Sequence, residues 1–240
     1  MKLFFYSSLA LVVTYSAVSM AALVVPQDGA EATAKDAANR RFRDAVHYLR
    51  TQEVEQALKD GAAVNQSISD TKSVPPLVWV AQKKATPEVL ELAKLLLNNR
   101  ANVNMADDLC RARYYSPLQF AIEHRNQPLV KLFLDAGADV DHKSNHDSGR
   151  ETPLGLALQR PSIEIVKLVL SARPNLDVSH VWETIESLAQ GKYEDVDAVE
   201  YLKLLQEYKQ QHKKGHKWSR LNDIIAGNYS YGDDSYGDEY

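Results

Sequence analysis

The chain lacks most of what would make it an enzyme, a disulfide-stapled scaffold or a polyanion binder. It has one cysteine, Cys110, in 240 residues. No internal disulfide can form, so stability must come from packing. Gly-x-Ser-x-Gly, His-Glu-x-x-His, a phosphate-cradling glycine-rich loop and Cys-x-x-Cys are all missing. The common hydrolase, zinc-protease, nucleotide and dithiol chemistries therefore have no residues to carry them. There is no basic excess either. The 28 Lys and Arg face 32 Asp and Glu, a net charge of −4 with His neutral, which argues against nucleic acid as a partner.

Charge is also missing from one long stretch, Leu3 to Val25, which follows Lys2 and precedes Asp28. A short basic start, an apolar middle and small residues at Ser19 and Ala21 read as a secretory signal peptide, with cleavage after Ala21 or Ala22. An uncleaved segment of this length would span a bilayer core of about 30 Å, so membrane attachment is expected only without cleavage. No cysteine lies near the cleavage point to carry a lipid. The expectation is an exported protein, periplasmic or secreted. The residues divide into a signal peptide (1–22), a linker (23–38), a repeat domain (39–208), a basic segment and cap (209–227) and a Tyr/Gly/Asp tail (228–240) without the apolar residues to fold.

What is present is repetition. "DGAAVN", "NRANVN", "AGADVD" and "ARPNLD" place an apolar residue before their last letter at Val64, Val103, Val140 and Leu176, at intervals of 39, 37 and 36 residues. A period in that range marks a repeat array. Before each mark the apolar spacing is helical, as in "LVKLFL" (129–134) and "IVKLVL" (165–170). Before those helices stand "SPLQFAIEHRN" and "TPLGLALQRPS". There a hydroxyl can cap a helix whose first turn holds proline. Each unit is helix, turn, helix and projecting loop, and it must stack on a neighbour to bury its apolar face.

The pattern resembles the ankyrin repeat. The residues that carry the resemblance are Ser116-Pro117-Leu118 with Ala121, Thr152-Pro153-Leu154 with Ala157, and Gly137 to Asp141, with a weaker version at Pro76-Leu77. Four to five units are expected, in an all-α ankyrin-repeat solenoid with finger loops. The fifth unit has Ala189 in the small-residue place and Val199 to Leu205 as its second helix. The helix-ending glycine is kept at Gly61 and Gly137 but replaced by Arg100 and Arg173. Those two ends are expected to close differently. The second unit carries four extra residues between its helices, in "QKKATPEVLE".

The resemblance implies a non-catalytic protein-binding scaffold that uses fingertips and the outer part of each first helix. The residues so placed are Trp79, Leu109, Arg111, Arg113, Tyr114, Tyr115, Glu123, His124, His142, Lys143, His146, Arg150, Gln159 and Arg160. In the first finger they are Ile68, Asp70 and Lys72. Arginine and tyrosine in "LCRARYYS" are the types enriched in binding hot spots, although both tyrosines can equally pack the finger on its neighbour. No cofactor is implied. Two other functions stay open: a secreted effector acting on a host protein, and a metal-dependent protein or enzyme using His142, His146 and Asp147.

Overall fold

The computed structural model describes residues 27–69, 74–106, 114–146, 149–160, 162–176, 179–193, 197–212 and 218–227. The signal peptide and the tail expected from the sequence lie outside these residues. No helix among the described residues is long and apolar enough to cross a membrane.

Five helix pairs follow one another. They are α1 (Gln27–His47) with α2 (Thr51–Lys59), α3 (Pro76–Ala81) with α4 (Pro87–Asn98), α5 (Pro117–Glu123) with α6 (Gln127–Asp135), α7 (Pro153–Leu158) with α8 (Ile163–Ser171), and α9 (Ser179–Ala189) with α10 (Ala198–Gln211). First helices pack on first helices and second on second, and α11 (Trp218–Ile225) closes the end against α9 and α10. The core runs through the stack as one row that includes Phe42, Leu77, Leu92, Leu118, Phe133, Leu154 and Trp182, all buried.

The helices start where the sequence places them. Ser116 Oγ accepts from Gln119 N while Gln119 Oε1 accepts from Ser116 N, a reciprocal cap that satisfies two otherwise unpaired donors. Thr152 caps α7 by accepting from Gly155 N, and proline occupies the first turn of both helices.

The recurring last letter of each repeat mark has a job that spacing alone does not reveal. The side-chain Oδ1 of Asn65 accepts from Asn102 N at 2.8 Å, that of Asn104 from Asp139 N at 2.7 Å, and that of Asp141 from Asn175 N at 2.7 Å. Asn39 begins the row by accepting from Ala63 N at 2.9 Å. Each finger base is thus bonded to the next. Asn and Asp are suited to this because the carbonyl or carboxylate oxygen sits two bonds beyond Cβ and lies close to the backbone.

Several expectations need correction. Residues 27–38, read as linker, belong to α1, so the first helix is 21 residues long. The end of the repeat domain moves too, because α10 runs on to Gln211. Arg100 and Arg173 are both left-handed, at φ 66° and 58°, like Gly61 at 92° and Gly137 at 81°; only the Arg173 end closes differently, because Pro174 has no N–H for the second bond and Arg173 N to Leu170 O stands alone. At Arg100 the hydrogen bonds match as well, Arg100 N to Leu97 O and Ala101 N to Leu96 O repeating Gly137 N to Leu134 O and Ala138 N to Phe133 O. The closing bonds outweigh the ~1–2 kcal/mol steric cost of a side chain in that conformation. The turn between α3 and α4 exceeds that between α5 and α6 by two residues (82–86 against 124–126), not four; α4, at 12 residues against nine in α6, takes up more of the excess.

The fifth unit registers two residues earlier than expected. Its turn closes with Lys192 N on Ser187 O, as Asn126 N closes on Ala121 O, so Ser187 rather than Ala189 holds the small-residue place. Val199 is 78% exposed, and Tyr201 and Leu205 form the buried stripe of α10. The array is helical, but one finger is not. Ser144–His146 (β1) pairs antiparallel with Gly149–Glu151 (β2), Ser144 opposite Glu151 and Asn145 opposite Arg150.

Candidate protein-binding surface

The first helices of the third and fourth units are too short to have a free face. In α5, Pro117, Leu118, Gln119, Ala121 and Ile122 are buried, and in α7 all six residues are. Solvent is reached by Phe120 and Glu123 of α5 and by the residues that follow each helix, His124 after α5 and Gln159 and Arg160 after α7. That confines the candidate surface to a row at these helix ends, together with the finger that precedes each first helix. His124 and Lys143 are exposed, and Glu123, His142, Gln159 and Arg160 are half-buried.

Two members of the row hold each other. The Arg160 guanidinium bonds the Glu123 carboxylate across the third and fourth units. The Arg160 carbonyl also accepts from the Tyr201 hydroxyl at 2.8 Å, and that oxygen accepts from Ser162 N at 2.7 Å. Glu123 and Arg160 therefore join three units as well as facing outward.

Tyr115 is not a surface residue. It is 2% exposed, meets Phe120 edge-on with ring centres 5.4 Å apart, and its hydroxyl donates to the Glu151 carboxylate. Glu151 lies at the foot of the hairpin, where Gln119 Nε2 and Ser144 Oγ both donate to its carbonyl. The third finger is thereby bolted to α5. Tyr114 is half-buried at φ 46°, and its carbonyl meets His142 Nε2 at 3.1 Å. Ile68, placed in the first finger from the sequence, is also buried, and its N–H bonds the Val74 carbonyl.

Leu109, Arg111, Arg113, Asp70 and Lys72 lie outside the described residues, as do the side chains of His146 and Arg150. Among the described residues no three His, Cys, Asp or Glu side chains gather as a metal site.

Trp79 is half-buried, and the structure surrounds it with residues that sequence reading missed. His47 stacks on its ring at 4.6 Å and 24°, while Lys83 Nζ sits 3.4 Å from the ring centre. Burial lowers the Lys83 amine from its ordinary value. Tyr48, 63% exposed, meets His47 edge-on at 5.0 Å, and Arg50 lies over the Tyr48 ring at 5.2 Å. The available signal was compositional: "HYLR" and "WVAQKK" occupy the same turn of successive units.

Comparison with known proteins agrees with this geometry. The family model for ankyrin repeats matches residues 77–180 in three copies. An ankyrin repeat protein of fowlpox virus (strain NVSL) is 37% identical over 67 residues, 28% of this chain and 32% of the viral protein. The chain thus spans about a third of the length of that relative. The matched residues begin in α3 and end in α9, and the pairs α1–α2 and α9–α10 extend the same stack on either side. Residues 77–180 are thus similar to three ankyrin repeats, and they make up the second to fourth helix pairs of the stack.

Proposed function

We propose that this ankyrin-repeat scaffold is exported, and that it captures a protein partner on the row of first-helix ends and fingertips without catalysis of its own. The observation that carries the reading is the division of labour in the first helices. Every side chain that the core can use is buried, while His124, Lys143 and Gln159 reach solvent from a rigid backing. A rigid stack with outward residues free of packing duty is suited to binding and costs little ordering on association. Export rests on the uncharged N-terminal stretch and its small-residue end.

The binding test is a pulldown from native extract with the chain changed together at Arg111, Arg113, Tyr114, His124 and Gln159 to alanine. The expected result is loss of the captured partner with an unchanged melting transition; full recovery of the partner would overturn this choice of face. Cell fractionation with N-terminal sequencing tests export. A cytoplasmic chain that retains Met1 would remove it.

A further inference from the structure

The second unit's longer turn leads to a surface that the family pattern does not account for. Across the first two units, Arg50, Tyr48, His47, Trp79 and Lys83 form an unbroken strip in which each side chain touches the next, with separations of 5.2, 5.0, 4.6 and 3.4 Å. Cations stand at both ends and rings between. Lys83 and the exposed Lys84 lie in the longer turn, and neither has an ion-pair partner among the described residues. The Trp79 indole N–H is buried and meets no acceptor among the described residues. Tyr48 presents a large apolar side chain that the fold leaves 63% exposed.

Resting on the scaffold reading above, we propose that this strip docks a short acidic segment of the partner protein, one that also carries aromatic side chains. The carboxylates meet Lys83 and Lys84, while Arg50, paired with Glu53 at 3.3 Å, bounds the strip; the aromatic side chains lie on Tyr48 and against the His47–Trp79 stack. Flat rings already in contact with cations bind further rings with little loss of side-chain freedom, and they hold the cations in place for carboxylates. Charge distribution favours a short acidic peptide over a long polyanion. Residues 39–100 hold ten Lys and Arg against seven Asp and Glu, whereas the remainder of the chain holds 18 against 25. An extended nucleic acid following the stack would leave a basic region for an acidic one.

The test uses the full chain and a labelled synthetic dodecapeptide of alternating Glu and Tyr, followed by fluorescence anisotropy at low and physiological salt. Lys83→Gln with Tyr48→Ala is expected to weaken binding about tenfold, and Lys131→Gln, on the second-helix side, to leave it unchanged. An alternating Gln-Tyr or Glu-Ser peptide is expected to bind at least tenfold more weakly than Glu-Tyr. Equal binding by the strip variant, by either control peptide, or tighter binding of a single-stranded oligonucleotide of the same length would overturn the proposal. The strip variant is tested beside the pulldown above. Loss of the native partner on changing the helix-end row, with no effect of the strip variant on either readout, removes this inference and leaves the scaffold standing.

Discussion

The junction between the third and fourth units and the junction between the fourth and fifth stack helices in the same way but are tied by different chemistry. The first is tied mainly by short side chains on backbone: Asp141 to Asn175 N, Gln119 to the Glu151 carbonyl, and the Glu123–Arg160 pair above them. The second is tied by the reach of tyrosines. Tyr201 bridges the Arg160 carbonyl and the Ser162 N–H, while Tyr193 braces its own unit against Ser187 and Thr184 of α9. Units that keep the repeat pattern can use a bond that recurs at a fixed place. A terminal unit that has lost the pattern needs longer side chains to find whatever partner the neighbour offers.

The comparison can be strained first at the core. Phe133, wholly buried in the third unit, should cost about 3–5 kcal/mol as Phe133→Ala, while Val199→Ala in the fifth should stay within about 0.5 kcal/mol. Urea denaturation measures both, and similar costs would deny that the two units differ in burial at these places. Gln119→Ala comes next. It strips buried Ser116 N–H and the Glu151 carbonyl of a partner and should cost about 1–3 kcal/mol in the same assay.

The tyrosine junction should show itself in alkali. Burial is the leading cause that raises Tyr193, Tyr201 and Tyr208 above the ordinary value of 10.0. A folded value above the unfolded one favours the protonated form in the fold. The stability these groups contribute is complete below about pH 10 and falls as pH rises through their folded values. Hydrogen exchange should therefore quicken in α9 and α10 above pH 10 before it does in α5 and α6. Uniform loss of protection along the stack would contradict the comparison. The caps come last. Arg100→Gly should stabilise by about 0.5–1 kcal/mol, and Gly137→Ala should destabilise by a similar amount, as judged by thermal melting.

Much of the fold is legible because its signals are local. Ser116 and Thr152 before proline mark helix starts, and "LVKLFL" marks a buried stripe, with spacing that a single helix dictates. The binding surface is less legible. Tyr114 and Tyr115 are neighbours of the same type, yet one is half-buried and the other is in the core, because Glu151, 36 residues on, supplies a partner for the Tyr115 hydroxyl. Trp79 could be picked out alone, but its contact with His47 depends on how two units stack.

By itself the sequence determined the period, the helix pairs, their caps and the stack they must form, since an amphipathic pair with a repeating apolar face has no other way to bury it. Tertiary structure decided which repeated letters bond across units and which aromatic side chains share a surface. Those outcomes depend on the distance between groups that lie 30 or more residues apart, and only the stacking of neighbouring units sets that distance.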